Sequence, residues 1–168
     1  MSSAAAGPAS SAARAVYKLN ELMQEAGLLD RFVTLAAGQL DGAAHRVTFV
    51  NAGHIPPLIY RRAMGKIEEA MGRDQAGFPL GVAEGIPYEA ATVALHPGDV
   101  VALFTDGVTE AKNKQDREFQ MDGVRAALAP GPWNAQAVAE RLVQAVKQHA
   151  LGCKQHDDIT VAAFARTA

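Results

Sequence analysis

Apolar positions along this chain follow two spacings, and the spacing switches at Gly, Pro and Asp. Between Ala12 and Ala26, the residues Ala15, Leu19, Leu22, Met23 and Ala26 share one helical stripe. Ser10 or Ser11 is placed to cap that helix and Gly27 to close it. The run Arg31 to Leu40 is strand-like, and Asp41 to Ala44 makes a turn into the strand-like "HRVTFVN", which predicts a hairpin. "PLIYRR" and "KIEEAM" flank "AMG" and predict a second hairpin. A long irregular connection around "GFPLGV" leads to an alternating strand, "YEAATVAL", and then, past the turn "HPGD", to an apolar strand from Val100 to Phe104. A polar loop from Asn113 to Glu118 precedes a short helix, "MDGVRAALA". A longer helix begins at Asn134 and places Ala135, Val138, Leu142, Ala145 and Val146 on one face. "DDITVAAFARTA" is a terminal strand that starts on two acids.

The order is helix, strands, helices and one last strand. Segregation of this kind predicts an α+β fold rather than a βαβ nucleotide-binding one, and no glycine-rich phosphate fingerprint follows any strand. The chain has 168 residues, enough for one domain with a substantial core. Its residues 1–11 read as a flexible Ala/Ser-rich lead-in, without the basic start and apolar centre of a secretory signal. A net charge of -2 gives no reason to expect nucleic acid, and no uncharged apolar run is long enough to span a bilayer. Cys153 is the single cysteine, so no internal disulfide forms and a cytoplasmic, reducing setting is expected.

Chemistry concentrates at two strand ends. Asp106 follows the core strand Val100 to Phe104, and Asp157 precedes the strand Ile159 to Phe164. Were these strands antiparallel neighbours, the two carboxylates would converge at one edge of the core. Hard divalent cations such as Mg²⁺ and Mn²⁺ take oxygen ligands of this type. The competing account is structural: Asp106-Gly107 as a strand-end turn and Asp157-Asp158 as a cap. His54, in "VNAGHIPP", reads as a loop residue bonded to backbone or as a ligand, and His156 abuts the acid pair. Asn51 and Gly53 suit positive φ in a shaped turn. Zinc-site spacing and the G-x-S-x-G elbow of a triad hydrolase are both absent.

Taken in order, "RFVTL", "VNAGHIPPLIY", "FPLGV", "PGDVVALFTDGVTEAKN" and "DDITVAAF" resemble the metal-dependent, type 2C-like protein serine/threonine phosphatases, in their bacterial sporulation and sigma-factor-regulating branch. The resemblance implies a β-sandwich of two antiparallel sheets flanked by helices, with a two-metal Mn²⁺ or Mg²⁺ centre. It implies metal-ligating and catalytic roles for Asp106 and Asp157 and supporting roles for Gly107 and Asp158. It further implies hydrolysis of phosphoserine or phosphothreonine on a regulatory protein, for example an anti-sigma antagonist. The family's early aspartate strand and its "GD-x-S-G-H-G"-like motif have no counterpart here. Residues 12–168 are therefore expected to form the domain without its first strands, with half a metal site and exposed edges open to homodimerisation. The alternative is a non-catalytic binding module, or an inactive fragment, that keeps the fold but lacks a complete metal centre.

Overall fold

The computed structural model describes residues 10–27, 31–129, 131 and 134–167. Most of the Ala/Ser-rich lead-in, residues 1–9, lies outside these. The chain divides into two compact units, the first from Met1–Pro56 and Met71–Ala94, the second from Pro57–Ala70 and Leu95–Ala168.

The first unit holds helix α1 (Ser11–Glu25) and strands β1 (Leu35–Asp41), β2 (Arg46–Ala52) and β5 (Ala90–Ala94). The strands form an antiparallel sheet in the order β1-β2-β5. The predicted first hairpin is present, with Leu35 opposite Ala52 and Asp41 opposite Arg46. β1 begins four residues later than expected at Arg31, because Val33 instead bridges to Leu80 in the irregular connection. Ser10 caps α1 by accepting from the Ala13 N–H at 3.1 Å.

The face that α1 buries is not the one its larger apolar residues suggest. Ala13, Val16 and Asn20 are buried, whereas Leu19 and Leu22 remain 42% and 50% exposed. Small side chains let the helix approach the sheet closely, where Ala13 and Val16 join Val50, Ala52, Leu80 and Tyr88 in one cluster. Asn20 is admitted to this apolar face because both ends of its amide are paired. Its Nδ2 donates to the Ala83 carbonyl and its Oδ1 accepts from the Gly81 N–H, each at 2.8 Å. Those bonds pin the "GFPLGV" connection in place.

The second unit holds strands β3 (Leu58–Arg61), β4 (Lys66–Glu69), β6 (Val100–Phe104) and β7 (Val161–Ala165). It also holds helices α2 (Asp106–Thr109), α3 (Gln120–Leu128) and α4 (Ala135–His149). Its antiparallel sheet runs β4-β3-β6-β7, so the second hairpin is also as predicted. β6 is buried at Val100, Val101, Ala102 and Phe104, which explains its unbroken apolar sequence. α4 buries Val138, Leu142 and Val146 of its predicted face, and Asn134 caps it by accepting from the Ala137 N–H. Asp106-Gly107 is not a simple turn: it opens the one-turn helix α2, anchored by the fully buried Val108.

One buried polar cluster in this unit has no counterpart in the sequence reading. Asp99, in the predicted "HPGD" turn, is 1% exposed. Its Oδ2 accepts from Arg61 Nη1 at 2.7 Å and from the His96 N–H at 2.9 Å, and its Oδ1 accepts from the Arg62 N–H at 3.2 Å. Arg61 also pairs with Glu68 at 2.6 Å.

Candidate active site

β6 and β7 are antiparallel neighbours, with Phe104 opposite Val161. The end of one strand therefore lies beside the start of the other, as convergence of the two acids requires. Past the last strand pair the ladder continues, as the Thr105 N–H donates to the Thr160 carbonyl at 3.1 Å. The Thr105 hydroxyl donates to the Asp158 carbonyl at 2.8 Å and accepts from the Thr160 N–H at 3.0 Å. Gly107 closes the contact from the other side. A Cβ there would strike the Asp158 carbonyl, with its carbon at 2.9 Å and the Asp157 carbonyl carbon at 3.4 Å. Asp106, Gly107, Asp157 and Asp158 are thus brought together, and the three acids are exposed.

Each candidate ligand keeps one oxygen turned to its own loop. Asp106 Oδ1 accepts from the Gly107 N–H at 3.1 Å, and Asp157 Oδ1 accepts from the Asp158 N–H at 2.7 Å. Gln155 Nε2 donates to the Asp157 carbonyl at 2.8 Å and stiffens the approach. A cavity of about 620 Å³ adjoins this edge, and Gly107, Glu110, Lys112, Lys154, His156 and Asp157 lie among its lining. His156 therefore shares a cavity with Asp157. Cys153 also lines it, rather than merely filling a helix end.

Asn51 and His54 belong to the first unit and serve their own loop. Asn51 is a strand residue 1% exposed, not one with positive φ. Its Nδ2 donates to the His54 carbonyl at 2.8 Å and its Oδ1 accepts from the His54 N–H at 2.7 Å. His54 Nδ1 sits 3.2 Å from Thr34 Oγ1. Gly53 supplies the positive φ, +70°, and a Cβ there would collide with Pro79. The loop is shaped by these contacts, and both polar groups of Asn51 are engaged in it.

In donor chemistry the acid edge fits a hard divalent cation: exposed carboxylate oxygens, and a glycine where a side chain would push them apart. In number it is incomplete. Among the described residues no group of three or more His, Cys, Asp or Glu is arranged to hold a metal ion.

A sequence profile of the family described as stage II sporulation protein E (SpoIIE) matches residues 1–167. The chain belongs to this family. Among relatives of this SpoIIE-family chain, the phosphoserine phosphatase RsbU of Bacillus subtilis is 27% identical over 96 residues, covering 57% of the chain and 28% of RsbU. Protein IcfG of Synechocystis sp. is 25% identical over 142 residues, covering 84% of the chain and 22% of IcfG. The chain thus spans about a quarter of the length of these relatives. Among solved structures, the SiaA-PP2C domain of Pseudomonas aeruginosa superposes with a TM-score of 0.71 at 22% identity, covering 91% of this chain and 60% of that one. The Mn-presoaked phosphatase domain of SpoIIE from Bacillus subtilis gives 0.63 at 16% identity, over 98% and 77%. Helices with two antiparallel sheets are the architecture of these PP2C phosphatase domains, and this chain shares that fold. No described helix is long and apolar enough to cross a membrane.

Proposed function

We propose that this domain takes part in hydrolysing phosphoserine or phosphothreonine on a regulatory protein of bacterial cytoplasmic signalling, such as an anti-sigma antagonist, with Mn²⁺ or Mg²⁺ held partly by Asp106 and Asp157. The observation that carries the reading is the main-chain and hydroxyl contact between Thr105 and the Asp158–Thr160 segment, which sets both aspartates at one edge of a SpoIIE-family domain. A bound divalent cation would supply Lewis-acid neutralisation of the phosphoryl oxygens. The protein's own contribution is to present carboxylate oxygens from two adjoining segments, fixed by Gly107 and Thr105. Asp158 supports the site through its backbone carbonyl. Residues 12–168 represent the type 2C-like domain without its first strands, so Asp106 and Asp157 supply part of the cation's oxygen ligands.

Among the described residues no third acidic ligand joins the pair, and this favours a second reading, in which the chain is a binding module that keeps the fold without a working centre. Calorimetric titration with Mn²⁺ and hydrolysis of p-nitrophenyl phosphate separate the two. The proposal expects Mn²⁺-dependent turnover that disappears in both Asp106→Ala and Asp157→Ala. Absence of both turnover and binding heat in the unmodified chain supports the binding module instead. Sedimentation of the same sample shows whether it forms a homodimer.

A further inference from the structure

We propose that Thr105 is the positioning residue of the acid edge, and that its hydroxyl fixes the register of the Asp157 segment against Asp106. The inference rests on the metal-site reading above for its purpose, but its geometry stands independently. Thr105 is the N-cap residue of α2, a position where a threonine hydroxyl ordinarily accepts from its own helix's N–H groups. Here it makes no such bond. The hydroxyl turns instead to the lead-in of β7, where it uses its one proton and a lone pair on the same segment. It donates to the Asp158 carbonyl at 2.8 Å and accepts from the Thr160 N–H at 3.0 Å. The backbone N–H of Thr105 adds a third tie, to the Thr160 carbonyl at 3.1 Å.

The placement in sequence gives these bonds their consequence. Asp106 is the residue immediately after Thr105, and Asp157 is the residue immediately before Asp158. Each candidate ligand is one peptide unit from the same hydroxyl, which therefore acts on the separation of the two carboxylates. Thr105 touches no reacting group in this arrangement. It acts through the ligands, as the outer hydrogen-bond partners of metal sites do, where loss of one lowers metal affinity about 10- to 100-fold. Serine keeps the hydroxyl, while valine keeps the shape and loses it.

The test compares the full chain with Thr105→Val and Thr105→Ser. Amide hydrogen exchange at Thr160, measured without metal, reads the tie directly, and exchange at Val101 and Phe164 in the β6–β7 ladder reads global stability. Thr105→Val is expected to speed exchange at Thr160 about tenfold while the ladder amides hold their rates, and to weaken Mn²⁺ binding by about tenfold or more. Thr105→Ser restores both. Should Thr105→Val fail to fold, Thr105→Ala removes the same hydroxyl and takes its place. Unchanged exchange at Thr160, equal acceleration at all three amides, or undiminished Mn²⁺ affinity in the valine variant overturns the inference. An unmodified chain that binds no Mn²⁺ overturns the metal-site reading instead, and the exchange data then decide the positioning role.

Discussion

Asp99→Ala is the substitution whose cost the structure defines best. The carboxylate is 1% exposed and accepts from the Arg61 guanidinium and from the N–H groups of His96 and Arg62. Truncation leaves two backbone donors without their acceptor and strips Arg61 of its buried counter-ion, while Glu68 still pairs with Arg61 Nε at 2.6 Å. Breaking a buried pair by removing one partner costs roughly 3–5 kcal/mol, and the surviving Glu68 contact places the estimate at the lower end, about 3 kcal/mol. For a chain of this size each kcal/mol is worth about 2–4 °C in midpoint, so the expected drop in Tm is on the order of 6–12 °C. Circular-dichroism melting at neutral pH measures it. Burial alone raises the Asp99 pKa, but the hydrogen bonds from the His96 N–H, Arg61 and the Arg62 N–H outweigh that and hold it below its ordinary value. A depressed folded-state pKa contributes stability above the unfolded value, about 3.9, and loses it as pH falls through the folded one. The gap between unmodified chain and variant should therefore be full at neutral pH and narrow below about pH 4. A midpoint change under about 2 °C, or a gap that widens in acid, would refute the assignment of Asp99 as a buried electrostatic hub.

Gly107→Ala drives a Cβ into the Asp158 backbone, which no side-chain rotation relieves. It should destabilise by about 1–3 kcal/mol and weaken Mn²⁺ binding. Gly42→Ala, with nothing within 4 Å of the new Cβ, is the near-neutral control, and parity between the two in urea unfolding sinks the packing argument. Asn51→Ala removes both bonds that close the Asn51–His54 loop and should cost about 1–3 kcal/mol in urea unfolding. A loss below about 0.5 kcal/mol would mean the loop is held by Gly53 and Pro79 alone.

What the sequence made legible is what local pattern encodes. β6 was readable as an unbroken apolar run because both its faces are buried, and α4 because its cap and apolar stripe agree. The hairpins were readable because turn residues sit between alternating segments. The buried face of α1 was not, since the eye follows Leu19 and Leu22 while close helix–sheet packing selects the smaller Ala13 and Val16. Asn20 was invisible for another reason: its partners lie 61 and 63 residues away. Distance in sequence also hid the supports of the site. Asp106 and Asp157 announce themselves as acids at strand ends, but Thr105 meets its partners 53 and 55 residues on. Asp99 meets Arg61 across 38 residues. A threonine or a turn aspartate carries no local mark of such a role.

The two supports act on the same quantity from opposite ends of β6. At its start, the Gly98 N–H donates to the Arg166 carbonyl and the Arg166 N–H to the Asp99 carbonyl. At its finish, Thr105 is tied to Asp158 and Thr160. Between them Val100 to Phe104 pair in unbroken register with Ala165 to Val161. A slip of one residue in that ladder would carry Asp157 about 3.3 Å along the strand relative to Asp106, and would turn every β7 side chain to the other face. Neither carboxylate has packing of its own to resist this, as both are exposed. Their relative position is therefore a property of the β6–β7 register. Residues that never approach a ligand, Asp99 through its backbone carbonyl at one end and Thr105 at the other, hold the register on which the proposed sharing of one cation by the two acids depends.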